Sequence, residues 1–213
     1  MRLFLASQDF GNHADRLREM VGRNNKALVV FNARDAKGED YGIEFQKKLF
    51  AESDLKFEKL DLRDYFGKEK ELRKYIDKYQ PGLIVLLGGN TFLLRRAMKQ
   101  SGLDEILKED IGKDKYVLAG HSAGSMAPGP SLHGYEMAYK ENLVEDLPGY
   151  SKEIIWDGLG FTKYRIITHG DSIKYKDIIK KRKKFFEKNN DKYIVLNDSD
   201  VYILDGDKEE VLR

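Results

Sequence analysis

The chain has 213 residues, 41% hydrophobic and 35% charged: enough apolar material for a substantial core, and too much for a disordered chain. Its net charge of +2 gives no global pull toward nucleic acid or an acidic membrane, and no run approaches the ~20 apolar residues of a membrane span. The lack of cysteine removes disulfides, Cys-ligated zinc and thiol nucleophiles, leaving His13, His121, His133 and His169 as acid–base candidates near neutral pH.

Arg2 to Ala6 is a short apolar run that reads as a first strand, ending in Ser7-Gln8-Asp9. His13 to Val21 has helical spacing, and Ala27 to Phe31 reads as a second, buried strand followed by a polar loop from Asn32 to Gly38. Tyr41 to Ala51 reads as an amphipathic helix with Ile43, Phe45, Leu49 and Phe50 as its apolar side. Leu55 to Leu62 alternates as a third strand, and Lys68 to Tyr79 is a helix stopped by Pro81-Gly82. Leu83 to Leu87 is the most apolar strand; it enters Gly88-Gly-Asn-Thr91 and a helix over Phe92 to Lys99. Leu103 to Ile111 is again helical and precedes the strand Tyr116 to Ala119.

Strand and helix alternate throughout this first part, which predicts an α/β fold with a mostly parallel central sheet and helices on both faces. Ligands in such folds sit at the carboxyl ends of the strands, and both glycine-rich turns lie there. Beyond Met126 the pattern weakens. Pro128 to Gly149 reads as loop or short irregular strands, and Trp156 to Phe161 is rich in turns. Tyr164 to Thr168 is a strand leading to His169, and Ser172 to Glu187 a helix with a basic face, which reads as solvated. Tyr193 to Leu196 and Val201 to Leu204 flank Asn197 to Asp200 as a hairpin or tight turn. No repeat, low-complexity segment or linker divides the chain, so one domain over 1–213 is expected.

The stretch that organises the chemistry is Gly120-His-Ser-Ala-Gly124, a G-x-S-x-G pattern set directly on a buried strand. Such a serine sits on a sharp strand-to-helix turn that lifts its hydroxyl above the sheet. Gly120 and Gly124 are small because side chains there would meet the neighbouring strand and helix, while the helix after the turn aims free N–H groups at a developing negative charge. In Gly88-Gly89-Asn90-Thr91, Asn90 has the place of a helix cap, and the N–H of Gly89 has the place of an oxyanion donor, partnered by that of Ala123.

Leu87-Gly-Gly-Asn-Thr-Phe-Leu-Leu94 together with the serine turn, at the spacing between Asn90 and Ser122, resembles the peptidase E (aspartyl dipeptidase) family of serine peptidases. Phe4-Leu-Ala-Ser7 is similar to that family's first strand, and Asp157-Gly-Leu-Gly160 to a turn that precedes its catalytic histidine. The resemblance implies a flavodoxin-like three-layer sandwich of the class I glutamine amidotransferase type. It also implies Ser122 as nucleophile, His169 as general base and, from Leu196-Asn-Asp198, Asp198 as the acid that orients the histidine. His121, next to the serine, is assigned to substrate lining or packing, with Asn90 beside it as a second substrate contact. His133 stands as a rival base, and Asp157 and Asp200 as rival acids. Two places depart from the family pattern: Thr168 and Gly170 stand where it has a proline and an aromatic. The family's arginine for an N-terminal aspartate finds only Arg182 as a counterpart.

The expected activity is hydrolysis of short peptides in the cytoplasm by a monomer or homodimer, with no metal, no cofactor, no nucleic acid and no membrane involved. A non-catalytic binding protein on the same scaffold, or a serine esterase or acyl transferase, are the other readings. A glutamine amidotransferase is disfavoured because that chemistry relies on cysteine.

Overall fold

The computed structural model describes residues 1–38, 41–139, 143 and 146–213. Among these, seven strands form one sheet in the order β3-β2-β4-β5-β1-β8-β9. They are β1 (Arg2–Ala6), β2 (Lys26–Val30), β3 (Lys56–Leu60), β4 (Leu83–Leu86), β5 (Val117–His121), β8 (Val201–Asp205) and β9 (Lys208–Leu212). The first five are mutually parallel, whereas β8 runs antiparallel to β1, and β9 to β8. A separate parallel pair, β6 (Arg165–Ile167) and β7 (Tyr193–Val195), stands outside this sheet.

Buried strands covered on both faces read as continuous apolar runs, and their two faces separate by alternation. Leu3, Leu5, Leu28, Val30, Ile84, Leu86 and Leu118 pack with α3 (Glu69–Tyr79), α4 (Thr91–Ser101) and α5 (Leu103–Ile111). Phe4, Ala6, Ala27, Val29, Val85, Val117 and Ala119 pack on the other face with α1 (Ala14–Val21) and α2 (Ile43–Glu52). This is the expected mostly parallel sandwich. The chain turns from β3 on one side of β2 to β4 on the other, so the carboxyl ends of β2 and β4 flank a topological switch point. A third cluster, Phe92, Met126, Leu132, Tyr135, Ile167, Ile179 and Phe186, fastens α7 (Lys176–Lys188) and the small sheet beside the main one.

Three expectations are corrected. The loop after β2 is a 3-10 turn over Asn32–Lys37. The apolar side of α2 is rotated: Phe45 is 58% exposed whereas Gln46 is 1% exposed, because Gln46 donates from Nε2 to Asp9 Oδ1 at 3.3 Å. Asn197 to Asp200 is a tight turn but no hairpin, since β7 pairs with β6 and β8 with β1; the hairpin lies one step later, between β8 and β9. The helix after Ser122, α6 (Ala123–Met126), is a single turn. Of the expected loop from Pro128 to Gly149, residues 140–142, 144 and 145 lie outside the described residues; Glu136–Ala138 is a 3-10 turn. No helix among the described residues is long and apolar enough to cross a membrane.

Candidate active site

Ser122 leaves the carboxyl end of β5 with φ 51° and ψ −114°, a backbone region that costs a non-glycine residue roughly 1–3 kcal/mol. Its surroundings enforce that turn. A Cβ on Gly124 would lie 1.8 Å from the Leu86 carbonyl oxygen, and one on Gly120 2.3 Å from that of Gly124, so neither position admits a side chain. The Ser122 N–H donates to the Ser7 carbonyl at 3.0 Å, which ties the turn to the end of β1. Ser125 Oγ lies 2.7 Å from the carbonyl oxygens of both Ala6 and Gly120.

His169 follows β6 and also has a positive φ, 61°. Its Nε2 is 3.1 Å from Ser122 Oγ and its Nδ1 2.6 Å from Asp198 Oδ1. The three residues that sequence reasoning linked across the chain therefore form one hydrogen-bonded series. Asp198 follows β7, and because β6 and β7 pair in parallel with Ile167 opposite Val195, histidine and carboxylate emerge side by side. The loops that carry them touch closely. Gly170 N donates to the Leu196 carbonyl at 2.8 Å, and a Cβ on Gly170 would lie 2.7 Å from Asn197 Oδ1. A side chain at 170 would therefore require Asn197 and Val195 to shift.

Ser7 was not singled out by sequence, since a serine after a strand carries no local signal. It is fully buried; its hydroxyl accepts the His169 N–H at 2.6 Å and donates to Asp198 Oδ1 at 3.0 Å. A single side chain thus positions both partners of the imidazole–carboxylate pair. Asp198 N donates to Asp171 Oδ1 at 3.1 Å, and the Tyr175 ring lies 5.0 Å from that of His169.

The glycine turn after β4 presses against the serine: a Cβ on Gly88 would lie 2.9 Å from Ser122 Cβ. Gly89 has φ 155°, and a Cβ there would lie 2.2 Å from the Ala33 carbonyl oxygen. Asn90 caps α4, its Oδ1 accepting from the N–H of Phe92 at 2.9 Å and of Leu93 at 3.2 Å. His121 is buried and its Nε2 accepts from the Gly88 N–H at 3.3 Å. Burial, with Arg34 and His169 nearby, lowers its pKa to about 3, so the imidazole stays neutral and can go on accepting. It packs under the turn and, with Asn90, also lines the wide cleft over Ser122.

The rivals lie elsewhere. His133 is exposed, with its ring stacked on Trp156 at 4.3 Å. Asp200 is buried in the tight turn, where its Oδ2 accepts from Asn197 N at 2.9 Å. Asp157 pairs with Ser131 in an isolated bridge, and its carbonyl accepts from Arg95 Nε at 3.1 Å. Two cavities meet over Ser122 and His169. One is a wide cleft of about 900 Å³ that reaches to Arg34, Tyr41 and Phe45; the other is a pocket of about 170 Å³ walled by Met126, Ile178 and Arg182. Arg182 is buried, with Nε and Nη2 donating to the carbonyls of Gly134 and Tyr135. Among the described residues, no cluster of three His, Cys, Asp or Glu side chains is arranged as metal ligands are.

A serine on a strained turn at the carboxyl end of a central parallel strand, backed by imidazole and carboxylate, belongs to the class of serine-type hydrolase scaffolds. The chain is a member of peptidase family S51, whose family model matches residues 3–212. It is similar to the uncharacterized peptidase Lin0382 of Listeria innocua, at 29% identity, and to the uncharacterized peptidase Lmo0363 of Listeria monocytogenes, at 26%. Each match spans 98 residues, 46% of this chain and 44% of the relative, so it covers less than half of these curated relatives' length. In fold the chain resembles the crystal structure of a candidate peptidase E protein from Listeria monocytogenes EGD-e. The TM-score there is 0.78 at 21% identity, over 100% of this chain and 98% of that one. A peptidase from an acI-B1 actinobacterium gives 0.67 at 18% identity, over 99% and 86%.

Proposed function

We propose that the chain hydrolyses short peptides through Ser122, His169 and Asp198, with the N–H groups of Gly89 and Ala123 as the oxyanion donors. The carrying observation is the series Ser122 Oγ to His169 Nε2 at 3.1 Å and His169 Nδ1 to Asp198 Oδ1 at 2.6 Å. Asp198 holds Nδ1 protonated, which leaves the Nε2 lone pair facing the serine hydroxyl. As Ser122 Oγ attacks the scissile carbonyl, its proton passes to Nε2 and then to the leaving amine. A water repeats the sequence on the acyl-enzyme and releases the acid. The negative charge on the carbonyl oxygen develops beside the glycine turn, which His121 holds by its bond to Gly88 N.

Peptide-bond rather than ester-only cleavage is supported by the family, which is one of peptidases. Two cavities that share Ser122 and His169 in their walls leave room for substrate residues beyond the bond that is cut. Replacing Ser122 with Ala is expected to abolish turnover of a dipeptide panel and labelling by a fluorophosphonate while leaving the thermal unfolding profile in place. Turnover retained by the variant would sink the mechanism. An unlabelled wild-type serine would favour a binding protein on the same scaffold.

A further inference from the structure

One wall of the wide cleft has no part in the chemistry above. Arg34 sits on the 3-10 turn that follows β2, and its Nε donates to the Gly88 carbonyl at 2.8 Å. Gly88 is the residue pressed against Ser122, so one peptide group ties the guanidinium to the turn beside the serine. The turn carrying Arg34 is itself clamped. Asn32 Nδ2 donates to Asp35 Oδ2 at 2.9 Å and to Asp61 Oδ1 at 3.1 Å, and its Oδ1 accepts from Leu62 N at 3.0 Å. Among the described residues, neither Nη of Arg34 has a hydrogen-bond or ion-pair partner. A guanidinium held at Nε, with Nη1 close to Gly42 and its plane over the Phe31 ring at 5.9 Å, keeps paired N–H groups of the kind a carboxylate accepts. Burial lowers the pKa of Arg34, and Asp9 and Tyr41, which line the same cleft, oppose that change.

A second observation comes from the same wall. Tyr41 and Phe45 are 52% and 58% exposed, two of the three large apolar side chains left in solvent among the described residues, and both line this cleft. Lys37 Nζ lies over the Tyr41 ring at 4.8 Å and so is engaged there. Exposed rings beside a guanidinium suit an apolar side chain with a carboxylate next to it. Reach selects which carboxylate. The contacts that run from Ser122 through Gly88 to Arg34 keep the guanidinium close to the serine, so the carboxylate it meets is that of a residue next to the cut bond.

Resting on the peptidase reading, we propose that the wide lobe is the subsite for the C-terminal residue of a short peptide. Arg34 binds the terminal carboxylate, and Phe45 and Tyr41 pack its apolar side chain. The enzyme then reads the chain end and trims short peptides instead of cutting within long ones.

The test compares dipeptides ending in phenylalanine with the same dipeptides ending in phenylalaninamide, on the wild-type chain and on Arg34→Gln. In the wild type the free acid should be preferred by roughly tenfold to a hundredfold in kcat/KM, mostly through KM, which is the range of one charge-assisted carboxylate contact. In Arg34→Gln the ratio of acid to amide should fall toward one. Equal rates for acid and amide in the wild type would overturn the proposal, as would an unchanged ratio in the variant. A preference for peptides with an acidic side chain and an amidated end would show a side-chain carboxylate site instead, and would also overturn it. Calorimetric binding of N-acetyl-phenylalanine against N-acetyl-phenylalaninamide tests the same subsite with no turnover. If the wild type neither cleaves peptides nor takes a fluorophosphonate, that failure belongs to the peptidase reading, and selective binding of the acid still upholds the role of Arg34. Loss of that selectivity in the wild type overturns it.

Discussion

Ser7 Oγ donates to the same Asp198 oxygen that faces the His169 ring, at 3.0 Å, while it accepts the His169 backbone N–H at 2.6 Å. One buried hydroxyl thus fixes both the carboxylate and the main chain from which the imidazole hangs. Replacing Ser7 with Ala leaves a buried N–H without a partner, which costs roughly 1–3 kcal/mol, and frees the carboxylate to rotate. The expected result is a fall in kcat of about ten- to a hundredfold with KM little changed. Steady-state kinetics beside a urea titration checks it, and a rise in KM at unchanged kcat would contradict it.

The acids of the tight turn should separate by kind of effect. Asp198→Asn presents an amide to Nδ1 and favours the wrong tautomer, so kcat should drop by about four orders of magnitude at near-native stability. Asp200→Asn weakens the bond to Asn197 N and should lower stability by about 1 kcal/mol, with a much smaller effect on turnover. Parallel denaturation curves and kcat values for the two variants decide between them. The reverse pattern would make Asp200 the functional acid.

Gly124→Ala forces a Cβ toward the Leu86 carbonyl, which is backbone and cannot swing aside. A loss of about 3 kcal/mol or more is expected, read as a lowered unfolding midpoint. Gly170→Ala meets side-chain atoms of Asn197 and Val195 instead, so the loops should separate slightly. Activity should then suffer more than stability, which kcat and the midpoint measured on one preparation will show.

The neutral state of His121 carries a pH dependence. Its pKa is lowered on folding to about 3 from an ordinary 6.5, so between these values the unfolded chain binds more protons than the folded one. The corresponding stability is present above pH 6.5 and is lost progressively as pH falls toward 3. Protonation would also end the acceptance of the Gly88 N–H. Unfolding midpoints between pH 7 and pH 4 should fall less steeply in His121→Gln than in the wild type; equal slopes would contradict this.

What the sequence discloses follows from how local each cause is. β1, β2, β4 and β5 are buried on both faces and read as apolar runs, and the two glycine turns lie at their ends, so the serine and its neighbours were legible. His169 and Asp198 followed from resemblance, since a turn of Asn, Asp and Ser would form with or without a role. The rotation of α2 was hidden because it depends on a bond from Gln46 to Asp9 across the molecule. The false hairpin arose in the same way: two strands around a tight turn look paired until β6, far back in the chain, takes β7. Ser7 lay inside the Phe4-Leu-Ala-Ser7 resemblance, but its role was hidden because its partners are 162 and 191 residues away.

The site straddles the border between the small β6–β7 ribbon and the main sheet. Imidazole and carboxylate ride on adjacent ends of that ribbon, while the hydroxyl they serve is bolted to the main sheet. Any displacement of the ribbon and its α7 buttress strains three contacts at once: Ser122 to His169, and the two bonds of the Ser7 hydroxyl to His169 N and Asp198 Oδ1. Tuning of turnover, by drift in sequence or by an engineer, would therefore act through the apolar seam around Ile167 and Phe186, at a distance from the reacting atoms.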